Sequence, residues 1–214
     1  GVMGLAEALI ELGMPYSSEA ARAFAGQVME RISGRAREAS VALAGERGSF
    51  PAFDESVWPD RGYGAMRNAS LTTVAPTGTL SIIANTSSGI EPLFALAYRR
   101  TALDGAELSE VNGLFLEALR ERGVDAGVVL PRVEETGSVR GVEEVPAEIR
   151  ALFEVAFDVA PEDHVKMQAA VQAHTDNAVS KTVNLASTAT VDDVREVFEL
   201  AYRLGCKGVT VFRY

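Results

Sequence analysis

Cysteine occurs once, at Cys206, so no disulfide can close within the chain, and a reducing cytoplasm is the expected compartment. No run of about eighteen apolar residues exists, which leaves no candidate for a membrane-spanning helix. The first residues, GVMGLAEALI, read as helix and lack a basic n-region, so no secretory leader is expected. Basic residues are in the minority, 20 Lys and Arg against 30 Asp and Glu. The resulting net charge of −10 argues against nucleic-acid backbones and anionic membranes as partners. A nucleotide is not excluded, because it needs only a locally positive pocket, for which Arg67, Arg99, Arg100 and Lys207 are candidates. Histidine is scarce too. His164 and His174 are out of step with the i, i+4 spacing of helical metal pairs, so no metal site is expected. There is also no GxxxxGK followed by Ser or Thr, which excludes the usual triphosphatase loop.

What is present is 47% hydrophobic and 23% charged, ordinary for one globular domain or slightly more. The most informative stretch is RNASLTTVAPTGTLSIIANTSSGIEPLFALAYRR. Leu71 to Ala75 is short, apolar and β-branched, and reads as a buried strand that Pro76 stops by lacking an N–H. Thr77-Gly78-Thr79 form a small-residue turn, and Leu80-Ser81-Ile82-Ile83-Ala84 can begin a helix. Free backbone N–H groups and the positive end of a helix dipole would meet there, with Thr77, Thr79 and Ser81 adding hydroxyls and Gly78 allowing close approach. Phosphate is the natural guest of such a turn. The plainer alternative is that a strand-to-helix turn needs small residues and a cap whether or not anything binds.

Elsewhere the local signals are structural. Gly13 and Pro15 end a first helix, and Ser17 or Ser18 caps a second that runs to about Glu46. Phe24, Val28, Ile32 and Ala36, with Ala21, Ala25, Ala39 and Leu43, predict its buried stripe. Gly26 and Gly34 read as places of close backbone packing. The aperiodic segment Glu46–Arg67 carries Phe50, Phe53, Trp58 and Tyr63, a loop packed on the body of the fold or an aromatic face for a base. From 101 to about 160 the chain is acidic and helical in pieces, with Ser109 as an N-cap, Leu114, Leu116 and Leu119 as burying residues, and most carboxylates on a solvated face. Pro161 suits the first position of a helix whose Met167, Ala170, Val171, His174 and Ala178 share a face. His174 reads there as a satisfied core histidine or as a ligand. Thr182–Leu185, a helix capped by Thr190 and a strand at Val209–Phe212 make a βαβ unit, with Val194, Val197, Phe198, Ala201 and Leu204 turned inward. Cys206 beside Lys207 is a structural thiol or a reactive one.

APTGTLSIIANTSSGIEPLFALAY closely resembles a segment of the adenosylcobalamin-dependent (class II) ribonucleotide reductases. The resemblance extends to GVMGLAEALIELGMPY, to ERGSFPAF, and to EDHVKMQAAVQAHTDNAVSKTVNLASTATVDDVREVFELAYRLGCKGVTVFRY, so it covers essentially the whole chain. It implies an α/β fold, the second half of the family's ten-stranded α/β barrel with helical excursions. Residues 1–214 would then be part of one catalytic barrel domain, with a helical insertion at roughly 101–160. It implies that Pro76, Thr77, Gly78, Thr79, Leu80 and Ser81 cradle a substrate diphosphate, and that Asn85, Gly89 and Glu91, with Ile90 and Pro92, line the same side of the barrel. Glu91 and Pro92 could equally hold that turn in shape. The family's thiyl-forming cysteine, with its neighbouring Asn and Glu, and its two reducing cysteines have no counterpart here, since Cys206 matches a different motif. No catalytic residue is therefore expected in this chain, which looks like the C-terminal part of the catalytic region and is expected to be inactive alone. Phe212 and Tyr214 lie near where another class carries relay tyrosines, and no relay role is assigned to them. The implied whole is a cytoplasmic, vitamin B12-dependent enzyme reducing ribonucleotides by thiyl-radical chemistry, with the remaining half of the barrel as partner. The alternatives are an accessory or split-subunit chain, or a stand-alone phosphate-binding module.

Overall fold

The computed structural model describes residues 1–101 and 107–214, with the backbone alone at 99–101 and 107–109. Helix α1 (Leu5–Glu11) ends at Gly13, whose φ of 70° turns the chain toward Pro15. Helix α2 (Glu19–Arg47) starts at Ser18, whose hydroxyl accepts from the Ala21 N–H. Its buried seam is Ala21, Ala25, Gly26, Met29, Ser33, Ser40 and Ala44, which corrects the predicted stripe: Ile32 and Leu43 are each 38% exposed, and Ala39 is exposed too. Close packing is the reason. A Cβ on Gly26 would stand 3.4 Å from the Ala170 carbonyl oxygen, so small residues face the neighbouring helix and larger ones flank the contact. Gly34 meets nothing and has no such role.

The loop after α2 folds back on itself as a small aromatic core of Phe53, Trp58 and Met66, flanked by Phe50, Tyr63 and Leu71. The Trp58 Nε1–H donates to the Ala69 carbonyl at 2.9 Å, so the one polar atom of the ring is satisfied in place. These rings pack as core. Leu71–Ala75 is extended and pairs in parallel with the segment around Val179: Val74 N–H donates to Ala178 O at 3.3 Å, and Ser180 N–H to Val74 O at 2.8 Å. Thr72 and Val74 are buried while Thr73 and Ala75 are exposed, so this stretch is covered on one face and not on both as predicted. Helix α3 (Gly78–Ala84) follows directly, starting earlier than predicted.

Strands β1 (Ala97–Thr101) and β2 (Glu107–Val111) form an antiparallel hairpin that the sequence reading did not anticipate. Ser109 belongs to β2, and the cap of α4 (Gly113–Glu121) is Asn112, whose side chain accepts from the Phe115 N–H. Within α4 the fully buried residues are Phe115 and Leu119; Leu114 and Leu116 are half-buried. Helices α5 (Ala126–Thr136) and α6 (Ala147–Leu152) complete this region. It is not merely an acidic face: Val129, Val133, Val139, Val142, Val145, Ile149 and Phe153 join Phe115 and Leu119 in one continuous core.

Helix α7 (Pro161–Gln172) begins at Pro161 and is buried on two sides, by Met167 and Val171 toward α2 and by Val165 among the residues of the C-terminal unit. That unit is β3 (Thr182–Leu185), α8 (Val191–Arg203) and β4 (Thr210–Arg213), with β3 and β4 parallel from Thr182↔Thr210 to Leu185↔Arg213. Thr190 and Asp193 close a reciprocal capping box at the start of α8. Val197 and Ala201 point inward, whereas Phe198 and Leu204 are 52% and 43% exposed, against the predicted stripe. Among the described residues the two sheets are two-stranded and open, and single parallel bridges lie outside them at Val74–Val179 and Leu93–Val155. The strands and helices are thus those of an α/β architecture whose sheet does not close on itself here.

Candidate functional site

A cavity of about 1050 Å³ lies where these pieces meet. Its wall is built by Ala75 and Pro76, the run Asn85–Gly89, Glu91 to Leu96, the start of α4, and the inner edges of β3 and β4 at Thr182, Asn184, Thr210 and Phe212. Asn85, Gly89 and Glu91, named from sequence, are all on this wall. Of the six residues named for a diphosphate only Pro76 is; Thr77 to Ser81 adjoin it as the turn and the first helical residues.

Thr77 adopts φ 51°, ψ 28°, a left-handed conformation that is unfavourable for a β-branched residue. Its hydroxyl does not cap α3. It accepts from the Gly89 N–H at 2.8 Å and so ties the turn to the far side of the Asn85–Gly89 loop. Ser81 is buried: its hydroxyl donates to Gly78 O at 2.8 Å and lies 2.8 Å from the Ser88 hydroxyl. These two hydroxyls are therefore engaged in holding the turn. Thr79 and Leu80 are exposed, and among the described residues no protein acceptor takes the N–H of Gly78, Thr79 or Leu80.

Behind the wall at Glu91 sits a buried polar cluster that no short motif announced. Lys181 is completely buried, and all three of its Nζ protons have acceptors: Glu91 Oε2 at 2.5 Å, His164 Nδ1 at 2.7 Å and Thr182 O at 2.6 Å. Glu91 Oε1 accepts from the Thr182 N–H at 2.7 Å. His164 donates its Nε2–H to Ala156 O at 3.0 Å, which leaves Nδ1 as acceptor, so the ring is neutral. Burial, reinforced by the Lys181 charge, pushes the His164 ring down to about 3. Burial also lowers Lys181, against the pull of Glu91, and raises the Tyr16 phenol well above its ordinary value. The Tyr16 hydroxyl donates to Ile90 O at 2.6 Å, fixing the residue next to Glu91.

The other sequence candidates fall elsewhere. Lys207 donates to the Asp176 carbonyl, and neither it nor Arg67 reaches the cavity wall; the side chains of Arg99 and Arg100 lie outside the described residues. His174 is half-buried in a groove between α2 and α7, where its Cδ2 is 4.0 Å from the Cβ that Gly26 lacks. Among the described residues no group of three metal-ligating side chains occurs. Cys206 packs beside β3, α8 and β4, and burial raises its thiol. No described helix is long and apolar enough to cross a membrane.

Comparison with known proteins decides the family. The model of the ribonucleotide reductase barrel domain matches residues 1–63 and 61–212. The chain belongs to the ribonucleotide reductase family. Vitamin B12-dependent ribonucleoside-diphosphate reductases of Mycobacterium tuberculosis and Thermoplasma acidophilum are 51% and 46% identical to it, over all of this chain and 30% and 28% of their own length. The chain thus spans less than a third of the length of these relatives. The class Id ribonucleotide reductase alpha subunit of Actinobacillus ureae superposes over the whole chain and 38% of its own, with a TM-score of 0.84 at 21% identity, a likeness of fold alone. The barrel architecture expected from the sequence is therefore the fold of this family, of which this chain carries an open portion.

Proposed function

We propose that this chain is the part of a vitamin B12-dependent ribonucleoside-diphosphate reductase that holds the substrate's diphosphate, within a single catalytic barrel domain of which residues 1–214 are one portion. The observation that carries the reading is the set of N–H groups at Gly78, Thr79 and Leu80 that no acceptor among the described residues takes, beside a cavity of about 1050 Å³. Hydrogen bonds from such groups to a charged oxygen contribute roughly 1.5–3 kcal/mol each. Thr77 and Ser81 hold the turn in shape through Gly89, Gly78 and Ser88, while Thr79 is the hydroxyl available to the ligand. The nucleoside would extend along the wall formed by Asn85, Gly89 and Glu91. The contribution to catalysis is placement: a ribose fixed against a reactive group avoids the entropic cost of a chance encounter.

Reduction of the ribose 2′-position by a thiyl radical belongs, in this reading, to the remaining half of the barrel. The only cysteine here is Cys206, which does not line the cavity. Exposed Ile82 and Ile83 on α3, Tyr202 on α8 and Tyr214 at the end of the chain offer apolar surface for that half to cover. The relatives are named vitamin B12-dependent, and adenosylcobalamin is in this reading the cofactor of the whole enzyme. A cytoplasmic location accords with this role and with the lone cysteine.

Calorimetric titration with cytidine diphosphate and with cytidine tests the reading. The expected result is measurable binding of the diphosphate, far weaker binding of the nucleoside, and a loss of about tenfold in Thr79→Ala, on the scale of one hydrogen bond to a charged group. Equal affinity for both compounds would overturn it.

A further inference from the structure

The cavity wall poses an electrostatic problem for an anionic guest. It includes the carboxylates Glu7, Glu91 and Glu110, and among its described residues there is no Lys or Arg. Glu7 is engaged by the Ser87 N–H and hydroxyl, and Glu110 accepts from the Tyr98 hydroxyl. Glu91 is matched by a buried cation. Lys181 approaches it from behind the wall at 2.5 Å and is wholly buried, while the Glu91 side chain is 25% exposed. The remaining titratable groups packed around the carboxylate are His164 on α7, neutral by its hydrogen-bond pattern, and Tyr16, whose phenol donates to the adjacent Ile90 carbonyl. Glu91 is also close to the phosphate-like turn: Gly89 N–H bonds to Thr77 Oγ1 at 2.8 Å, and two residues of chain span at most about 7 Å.

We propose that Lys181 is a positioning residue that neutralises Glu91 from beneath the wall, so that the cavity admits an anionic phosphate ester while Glu91 is held as an aligned acceptor. This rests on the reading of the cavity as a nucleotide site. Thr182 supplies the second half of the alignment, through its N–H to Glu91 Oε1 and its carbonyl to Lys181 Nζ. His164 consumes the third Lys181 proton, so the ammonium has no other partner to turn to.

The test is the affinity for cytidine diphosphate of four chains: wild type, Lys181→Met, Glu91→Gln and the double variant. A unit charge on the order of 10 Å from the diphosphate, in a partly hydrated site, changes affinity about tenfold. Lys181→Met uncovers the carboxylate and should weaken binding by about that factor. Glu91→Gln leaves the ammonium unopposed and should tighten it, and the double variant should return to within about threefold of wild type. A merely structural role would instead weaken binding in both single variants. Should Lys181→Met fail to fold, Glu91→Gln and the double variant decide alone, through tightening in the one and its disappearance in the other. Binding by wild type without this order overturns the role of Lys181 only. No binding by wild type overturns the cavity reading, and this inference with it, while the ring-nitrogen NMR signals of His164, expected to report a neutral Nε2–H tautomer near pH 7, still show whether the cluster is formed.

Discussion

Acidification from pH 7 to pH 5 should cost the fold about 2 kcal/mol through His164 alone. In the folded chain the ring is pushed down to about 3 by burial and by the neighbouring Lys181 charge; in the unfolded chain it titrates at its ordinary 6.5. Below 6.5 the unfolded state takes up a proton that the folded state refuses, so unfolding is favoured progressively as the pH falls from 6.5 toward 3. Above 6.5 both states are neutral and the contribution is whole. Across the full window the linkage is roughly 5 kcal/mol, and the portion between pH 7 and pH 5 is the 2 kcal/mol stated. The assay is urea unfolding at the two pH values for wild type and His164→Gln, whose amide can accept from Lys181 and donate to Ala156 without titrating. With a urea slope of about 2 kcal/mol/M, the wild-type midpoint should fall by about 1 M more than that of the variant. Other groups titrate in both chains and cancel in the comparison. An equal fall in both would refute the claim that this histidine is buried neutral against a charged lysine.

Three further outcomes follow from the packing. Lys181→Met should destabilise the chain by about 3–5 kcal/mol in denaturant melts, with most of the loss recovered in Lys181→Met/Glu91→Gln, because the cost arises from an unpaired charge and not from lost attraction. No recovery would contradict that. Phe115→Ala removes a fully buried ring that meets Phe153 edge-on at 5.4 Å, and should cost about 3–5 kcal/mol by the same assay; a loss under about 1 kcal/mol would mean that α4 does not anchor this core. Cys206, its thiol raised by burial, should react with a disulfide reagent at pH 8 several-fold more slowly than free cysteine, and a rate equal to free cysteine would exclude the packing described.

What the sequence disclosed, and what it hid, divides along the range of the interactions. Ser18 and Thr190 each mark a helix start by accepting from a backbone N–H three residues on, and Pro161 by its fixed φ and missing N–H, so these boundaries were legible. Strand, helix and strand between Thr182 and Phe212 were legible for the same reason, and their parallel pairing followed from the length of the crossover. The seam of α2 was misjudged because periodicity favours large apolar residues, whereas the contact with α7 is close enough to select Ala, Gly and Ser. The β1–β2 hairpin was missed because its residues carry charge and little alternation. At the site, the turn at Thr77 could be read from local chemistry and from family resemblance. The Lys181–Glu91–His164 cluster could not, since its members lie 90 and 17 positions apart and only the fold brings them together. The one available signal was Lys181 itself, a lysine standing just before a strand whose alternate residues are buried.

The central claim, that a diphosphate sits on the turn after Pro76, is tested most directly by the amide NMR spectrum of the chain during titration with cytidine diphosphate. The expected result is that the largest shifts fall on the N–H groups of Gly78, Thr79 and Leu80, with smaller ones at Asn85 and Gly89, and that inorganic pyrophosphate moves the first three alone. Saturable shifts that leave Gly78, Thr79 and Leu80 unmoved would contradict it.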